Sequence, residues 1–174
     1  MAERWDVSDD ESLRRVVEGV LDEVYRYASR LAGADRQLAE DLVQDAFVRL
    51  IRAARASRVV DVGPGWFFTT IRNRFIDHLR STSRLDVGLP DEHAAAGGAR
   101  GAVVTVDSDD SLAWLTDRLS PLERFVLVAH HVDGFGVSDV AGMIGKSVHA
   151  TESLLVTARA HARRIVNTGG DRHG

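Results

Sequence analysis

Apolar residues recur along this chain at three- and four-residue steps, the period of helices that each bury one face. From about Ser8 to Leu31 the positions Leu13, Val16, Val17, Val20, Leu21, Val24 and Tyr27 form one such stripe. Ser8-Asp9-Asp10-Glu11 has the form of a capping box, a hydroxyl at the helix start paired with a carboxylate three residues on. Gly33 stops this helix. A second helix is predicted from about Asp35 to Ala56, with Leu38, Leu42, Val43, Ala46, Phe47, Leu50 and Ile51 on its buried side. Val62-Gly63-Pro64-Gly65 breaks the period, and a third helix follows from about Gly65 to Ser81, burying Phe67, Phe68, Ile71, Phe75 and Leu79.

Periodicity is then lost over residues 83–107, where Leu89-Pro90-Asp91 and Ala94-Ala95-Ala96-Gly97-Gly98 read as a linker. It resumes with a short helix from about Asp109 to Leu119. Ser120-Pro121-Leu122-Glu123 is a second capping box with proline at the first helical position, opening a helix that ends at Asp133-Gly134. A short helix, Val137 to Ile144, stops at Gly145, and a last one runs from about Ser147 to Val166 on Leu154, Leu155, Ala158, Ala162 and Ile165. Short helix, glycine turn and longer helix make a helix-turn-helix. The fold class expected is all-α: two small helical domains, residues 8–83 and 109–167, joined by a flexible acidic linker, 84–108, with a disordered tail, 168–174.

Composition narrows the chemistry. The 174 residues include no cysteine, which excludes a disulfide framework, a thiolate zinc site and a thiol nucleophile. No apolar run approaches the length of a membrane span and the first residues are acidic, so neither membrane insertion nor a signal peptide is expected, and a cytoplasmic location is. The net charge of −4 conceals a strong segregation. Residues 1–48 carry net −6, 49–84 net +6, 85–139 net −7 and 140–174 net +3. Two basic islands in an acidic chain suit local contact with a polyanion.

The first island lies on the third helix. Opposite its apolar stripe, Trp66, Thr70, Asn73, Asp77 and Arg80 share one arc, flanked by Arg72 and Arg74, and the loop from Arg58 to Gly65 stands before it. An aromatic ring stacks on unpaired bases, an amide bonds base edges and arginines neutralise phosphates. An ordinary solvated face, with Trp66 packed between helices, fits the same residues. The second island is the last helix, whose outward face presents Lys146, His149, Glu152 and Ser153, then Arg159 and Arg163. The first turns of such a helix supply base contacts and surrounding cations the phosphate contacts; a plain helical hairpin fits this pattern too.

Taken together, these stretches resemble the extracytoplasmic-function (ECF) sigma factors of bacterial RNA polymerase. Leu38-Ala39-Glu40-Asp41-Leu42-Val43-Gln44-Asp45-Ala46-Phe47 is similar to that family's A-E-D-L-V-Q-E-T-F signature, and Trp66, Ile71, Arg72, Asn73, Asp77, His78, Leu79 and Arg80 to its following helix, with the Arg-Asn pair displaced by one position. Leu119 to Leu127 is similar to L-P-x-x-x-R-x-V-L, and Gly134 to Ala141 to G-x-S-x-x-E-I-A before the helix-turn-helix.

The resemblance implies a three-helix sigma region 2 and a helix-turn-helix region 4. It implies that Asp41, Gln44, Asp45, Val48 and Arg49 dock on the β′ clamp helices of core polymerase, with the β flap as a further contact. Arg58, Trp66, Arg72, Asn73, Arg74, Asp77 and Arg80 would open and read the −10 element as single strand. Lys146, His149, Glu152, Ser153, Arg159 and Arg163 would read the −35 element as duplex. An anti-sigma factor is the expected regulatory partner; no metal or other cofactor is implied, and an enzyme is not. The chain's end soon after the last helix argues against an appended sensor domain there.

The last helix departs from the family's T-V-K-S-R-L-x-R-A-R: Glu152 stands where a cation is usual, Leu154 or Leu155 takes an arginine position, and Thr157 replaces another. Each cation missing from a phosphate flattens the salt dependence of binding by about one unit of slope, while Glu152 offers an acceptor to a cytosine amino group. The alternatives are a stand-alone helix-turn-helix regulator and a sigma-like decoy or adaptor that binds polymerase without opening promoters. For an enzyme, only Asp77-His78 and His130-His131 present themselves, and neighbours on a helix point about 100° apart, a poor spacing for paired chemistry or a shared metal.

Overall fold

The structure is a computed structural model and describes residues 9–56, 63–82 and 117–170. Ser8, Arg58, the linker at 84–108 and residues 109–116 of the short helix expected to start at Asp109 lie outside the described residues, while residues 117–119, the expected end of that helix, form a turn rather than helix. Every described element is helical, as the all-α class requires. The chain divides into two compact units, Met1–Phe75 and Ile76–Gly174, the division falling inside a helix.

In the first unit, α1 (Asp10–Ala32) packs on α2 (Arg36–Ala56). The cap of α1 is Asp9 rather than Ser8: its carboxylate accepts from the Ser12 backbone N–H at 2.7 Å and from the Ser12 hydroxyl at 3.2 Å. A carboxylate at the positive end of a helix is the stronger acceptor, and the N–H of Ser12 holds its acid below the ordinary carboxylate value. Gly33, with φ +64°, donates to the Ser29 carbonyl and ends the helix in a conformation only glycine adopts without strain. Val20, Val24, Tyr27, Ala28 and Leu31 form the buried seam. Leu21, expected with them, is 41% exposed, because it lies about 100° round the helix from Val20.

Asp35 caps α2 through the Leu38 N–H at 2.9 Å, and Ala39, Leu42, Val43, Ala46 and Leu50 face inward. The third helix, α3 (Pro64–Thr82), begins at a proline whose missing N–H costs nothing there. Phe67 meets Phe47 of α2 at 5.2 Å between ring centroids, and Phe68 meets Tyr27 of α1 at 4.9 Å. Burying each such side chain contributes about 1.5–3 kcal/mol. Two residues of α3 depart from expectation: Ile76 is buried, and so is Arg72, at 7% exposure. On the helical wheel both fall between Phe75 and Leu79 and the polar side, within the arc that the core covers.

In the second unit, α4 (Pro121–Leu127) runs without a break into a π-helical turn, Val128–Val132. The expected box is complete: the Ser120 N–H donates to Glu123 Oε2 at 2.9 Å and the Glu123 N–H to Ser120 Oγ at 3.3 Å. The π-turn is not legible in the hydrophobic period; it is closed by the Asp133 N–H on the Val128 carbonyl at 2.9 Å. Next come α5 (Val137–Ile144), a turn at Gly145 with φ +65°, and α6 (Val148–Gly170). The Lys146 N–H, bonded to the Ala141 carbonyl at 3.0 Å, locks the turn. Both α4 and α5 pack on α6, through Leu155, Ala158 and a buried threonine, Thr151, whose hydroxyl donates to the Ser147 carbonyl. Helix α6 continues to Gly170, so residues 168–170 are not the start of a disordered tail; the Thr168 hydroxyl bonds the Arg164 carbonyl at 2.7 Å.

Candidate nucleic-acid interface

The buried seam of α2 leaves its opposite side to solvent. Asp41, Gln44, Val48 and Arg49 are exposed there, Val48 at 41%, and Asp45 is half-buried. Gln37 donates to Asp41 at 3.0 Å. Asp45 is the joint of the unit, since its Oδ2 accepts from Arg49 Nε at 3.1 Å and from Arg74 Nε of α3 at 3.0 Å. Residues assigned to two different surfaces therefore meet at one carboxylate.

On α3, Asn73 and Arg74 are exposed. Trp66 is half-buried, its indole edge-on to Phe67 at 5.2 Å, which fixes the ring's orientation while leaving part of it to solvent. Asp77 and Arg80 pair at 3.7 Å, and Arg80 also donates to the Met143 carbonyl at 3.1 Å within the second unit. Arg72 does not flank the exposed arc as expected. It is buried, with Nη2 at 3.4 Å from the Thr69 hydroxyl, a position suited to holding α3 in place.

In the helix-turn-helix, His149, Glu152, Ser153 and Arg163 are exposed on α6 and Lys146 is half-buried in the turn before it. Val148 and Val156, at 46% and 63% exposure, share this surface, although the sequence-based set does not contain them. Their exposure is legible in the helical period, but valine carries no charge signal. Arg159 is half-buried and donates through Nε to His131 Nε2 of the π-turn at 3.0 Å, a pairing across 28 residues that no local pattern announces. A second such tie joins His161 Nδ1 of α6 to Glu123 at 3.2 Å. Burial raises the Glu123 acid, but the Ser120 N–H, the Ser120 hydroxyl and His161 outweigh it and hold it below its ordinary value.

Among the described residues, no cluster of three or more His, Asp or Glu is arranged to hold a metal, and no helix is long and apolar enough to cross a membrane. The geometry offers instead two polar helix faces, one with an indole, an amide and an arginine, the other on the second helix of a helix-turn-helix.

Comparison with known proteins gives one family match, in the first part of the chain. The Sigma-70 region 2 family matches residues 16–85. The "Probable ECF RNA polymerase sigma factor SigI" of Mycobacterium tuberculosis is 32% identical over 151 residues, 80% of this chain and 49% of SigI. The ECF RNA polymerase sigma factor BldN of Streptomyces coelicolor is 26% identical over 172 residues, 95% of this chain and 64% of BldN. The chain thus spans about half to two thirds of the length of these relatives. In fold it is similar to the sigma factor RpoE of Bartonella quintana, solved in complex with the anti-sigma factor NepR, with a TM-score of 0.51, 22% identity and coverage of 90% of this chain and 98% of that one.

Proposed function

We propose that the chain belongs to the ECF sigma factor family and is a dissociable promoter-specificity subunit of bacterial RNA polymerase, a reading supported by the Sigma-70 region 2 match and the ECF relatives. The exposed side of α2, Asp41, Gln44, Asp45, Val48 and Arg49, docks on the β′ clamp helices of the core enzyme, and the second unit meets the β flap. Trp66, Asn73 and Arg74 hold the displaced strand of the −10 element by stacking, base-edge bonding and phosphate neutralisation. Arg58, which lies outside the described residues, Asp77 and Arg80 are proposed for the same DNA element, and buried Arg72 holds α3 in place. The first turns of α6, with Lys146, His149, Glu152 and Ser153, enter the major groove at the −35 element, and Arg159 and Arg163 contact phosphates.

On this reading the chain performs no catalysis; it redirects the polymerase and helps melt DNA inside the cell. An anti-sigma factor holds it inactive by covering the docking face, a partner class supported by the likeness to the Bartonella sigma factor bound to NepR. The observation that carries the reading is the order of two surfaces in one chain: an aromatic and amide face suited to unstacked single strand, then a Gly145-closed helix-turn-helix suited to duplex. A second reading, an adaptor that binds polymerase without opening promoters, is favoured by one feature, the uncharged or acidic centre of α6 at Glu152, Ser153, Val156 and Thr157.

Co-elution of the purified protein with sigma-free core polymerase, followed by transcription from a pool of genomic promoters, separates them. Binding with new, discrete transcripts is the expected result. Binding without transcripts supports the adaptor, and duplex binding without polymerase binding supports a stand-alone regulator.

A further inference from the structure

The π-turn at Val128–Val132 packs on α5 and redirects two histidines, one of which reaches α6. A π-turn inserts extra backbone into a helix, turns the side chains after it to a new bearing and is frequent at functional positions. Here it brings the rings of His130 and His131 to 4.7 Å, at 70° to each other. His130 is tied down on its own side: its Nδ1 donates to the Phe135 carbonyl at 2.8 Å, a bond that only a protonated Nδ1 can make. His131 faces the other way, toward α6. Its Nε2 receives the Nε–H of Arg159 at 3.0 Å.

That bond fixes two chemical states. Guanidinium has donors only, so His131 Nε2 is a bare acceptor and the ring is neutral with its proton on Nδ1. Arg159 spends one N–H of five on the imidazole. Its two Nη groups, which make the forked edge that grips a phosphate, have no other partner among the described residues. A long side chain that would otherwise sample many rotamers is thereby held at its Nε.

We propose that His131 is a positioning residue for nucleic-acid binding: it orients Arg159 so that the Nη edge meets a backbone phosphate of duplex DNA, and it does so only while its imidazole is neutral. The inference rests on the reading of α6 as the duplex-binding helix. Protonation removes the acceptor and sets a cation beside the guanidinium. The charged or titratable groups facing His131 are Arg159 from α6 and His130 from its own turn, and no carboxylate pairs with His131 or Arg159 among the described residues. Burial, then Arg159, then His130 hold the His131 ring below its ordinary value of 6.5, so the clamp is intact at neutral pH and opens on acidification.

The test uses the full chain and a 20-base-pair duplex obtained by in vitro selection with the protein itself, with affinity read by fluorescence anisotropy across a salt series at two pH values. Arg159→Ala is expected to lower the slope of log affinity against log salt by about one unit. His131→Ala is expected to reproduce most of that change, whereas His131→Gln, whose amide oxygen accepts the same bond, restores the wild-type slope. Between pH 7.5 and 5.5 the wild type loses several-fold more affinity than His131→Gln, and ring NMR places the His131 proton on Nδ1 at neutral pH. Wild-type affinity and slope in a folded His131→Ala protein, or the same pH response in His131→Gln, overturns the positioning role. Selection that yields no duplex overturns the reading of α6 beneath it, and the inference with it.

Discussion

Arg74 of α3 reaches Asp45 of α2 at 3.0 Å, on the same carboxylate oxygen that Arg49 meets at 3.1 Å. Asp45 belongs to the side of α2 proposed to dock on polymerase, and Arg74 to the side of α3 proposed to hold promoter DNA. One carboxylate therefore sets the position of a cation on each surface. The arginines are about half exposed, so water and salt screen the pairs, and their worth is orientation more than stability.

Replacing Asp45 by Ala is accordingly expected to lower stability by no more than about 1 kcal/mol. A double-mutant cycle with Arg74→Ala, read by urea denaturation, isolates the inter-helix pair, with an expected coupling of about 0.2–1 kcal/mol. Core-polymerase affinity should fall in Asp45→Ala and change little in Arg74→Ala. An equal fall in both would remove the distinction between the two surfaces.

The second unit carries an acid-sensitive joint at Glu123, whose side chain is 13% exposed and serves both the Ser120 box and His161. Its acid is held below the ordinary 4.5, so the folded state binds fewer protons there than the unfolded state. The stabilisation is complete above about pH 4.5 and is lost as pH falls through the lower folded value. Glu123→Gln keeps an oxygen for the Ser120 N–H but removes the charge, and should cost about 0.3–1 kcal/mol at neutral pH, the scale of a carboxylate at a helix N-terminus. Thermal melts from pH 7 to 3.5 should show the gap between wild type and variant narrowing toward the acid end; a constant gap would mean that Glu123 acts through packing alone.

The helix-turn-helix depends on Gly145, which sits at φ +65° between α5 and α6. Gly145→Ala places a Cβ in the left-handed region and should destabilise the second unit by about 1–2 kcal/mol. Duplex binding should weaken while core-polymerase binding through α2 persists. Hydrogen exchange resolved by segment checks this, with α5 and α6 losing protection and α1 and α2 keeping it.

These elements differ in how plainly the chain announces them. The Ser120–Glu123 box, the Gly33 and Gly145 stops and the buried seams of α1 and α2 are local chemistry, and local chemistry is written in order along the sequence. Arg72 and Leu21 lie at the edges of their helices' buried arcs, and the width of such an arc depends on how closely neighbouring helices approach, which a wheel drawn from one helix does not contain. The Asp9 cap is ambiguous in the sequence because Ser8 and Asp9 are both good caps in adjacent registers. The His131–Arg159 and Glu123–His161 ties join residues 28 and 38 apart, and only the packing of α4 on α6, with the π-turn carried at the end of α4, brings them together.

The burial of Arg72 separates two kinds of loss on one helix. Arg72 and Asn73 are neighbours in a stretch that resembles the sigma signature, yet one is 7% exposed and the other faces solvent. Truncating Arg72 to Ala removes a buried guanidinium and its aliphatic stem and leaves the Thr69 hydroxyl with one donor fewer, for a cost of about 1–3 kcal/mol. Its effect on transcription should follow that loss and recover when the temperature is lowered. Asn73→Ala removes no packing and should leave the melt unchanged within about 0.5 kcal/mol. It should still reduce open-complex formation at every temperature, because the lost group is the one proposed to bond a base edge. Melting curves paired with permanganate footprinting of the −10 region decide the matter: an unchanged footprint in Asn73→Ala would take the base-reading role away from α3.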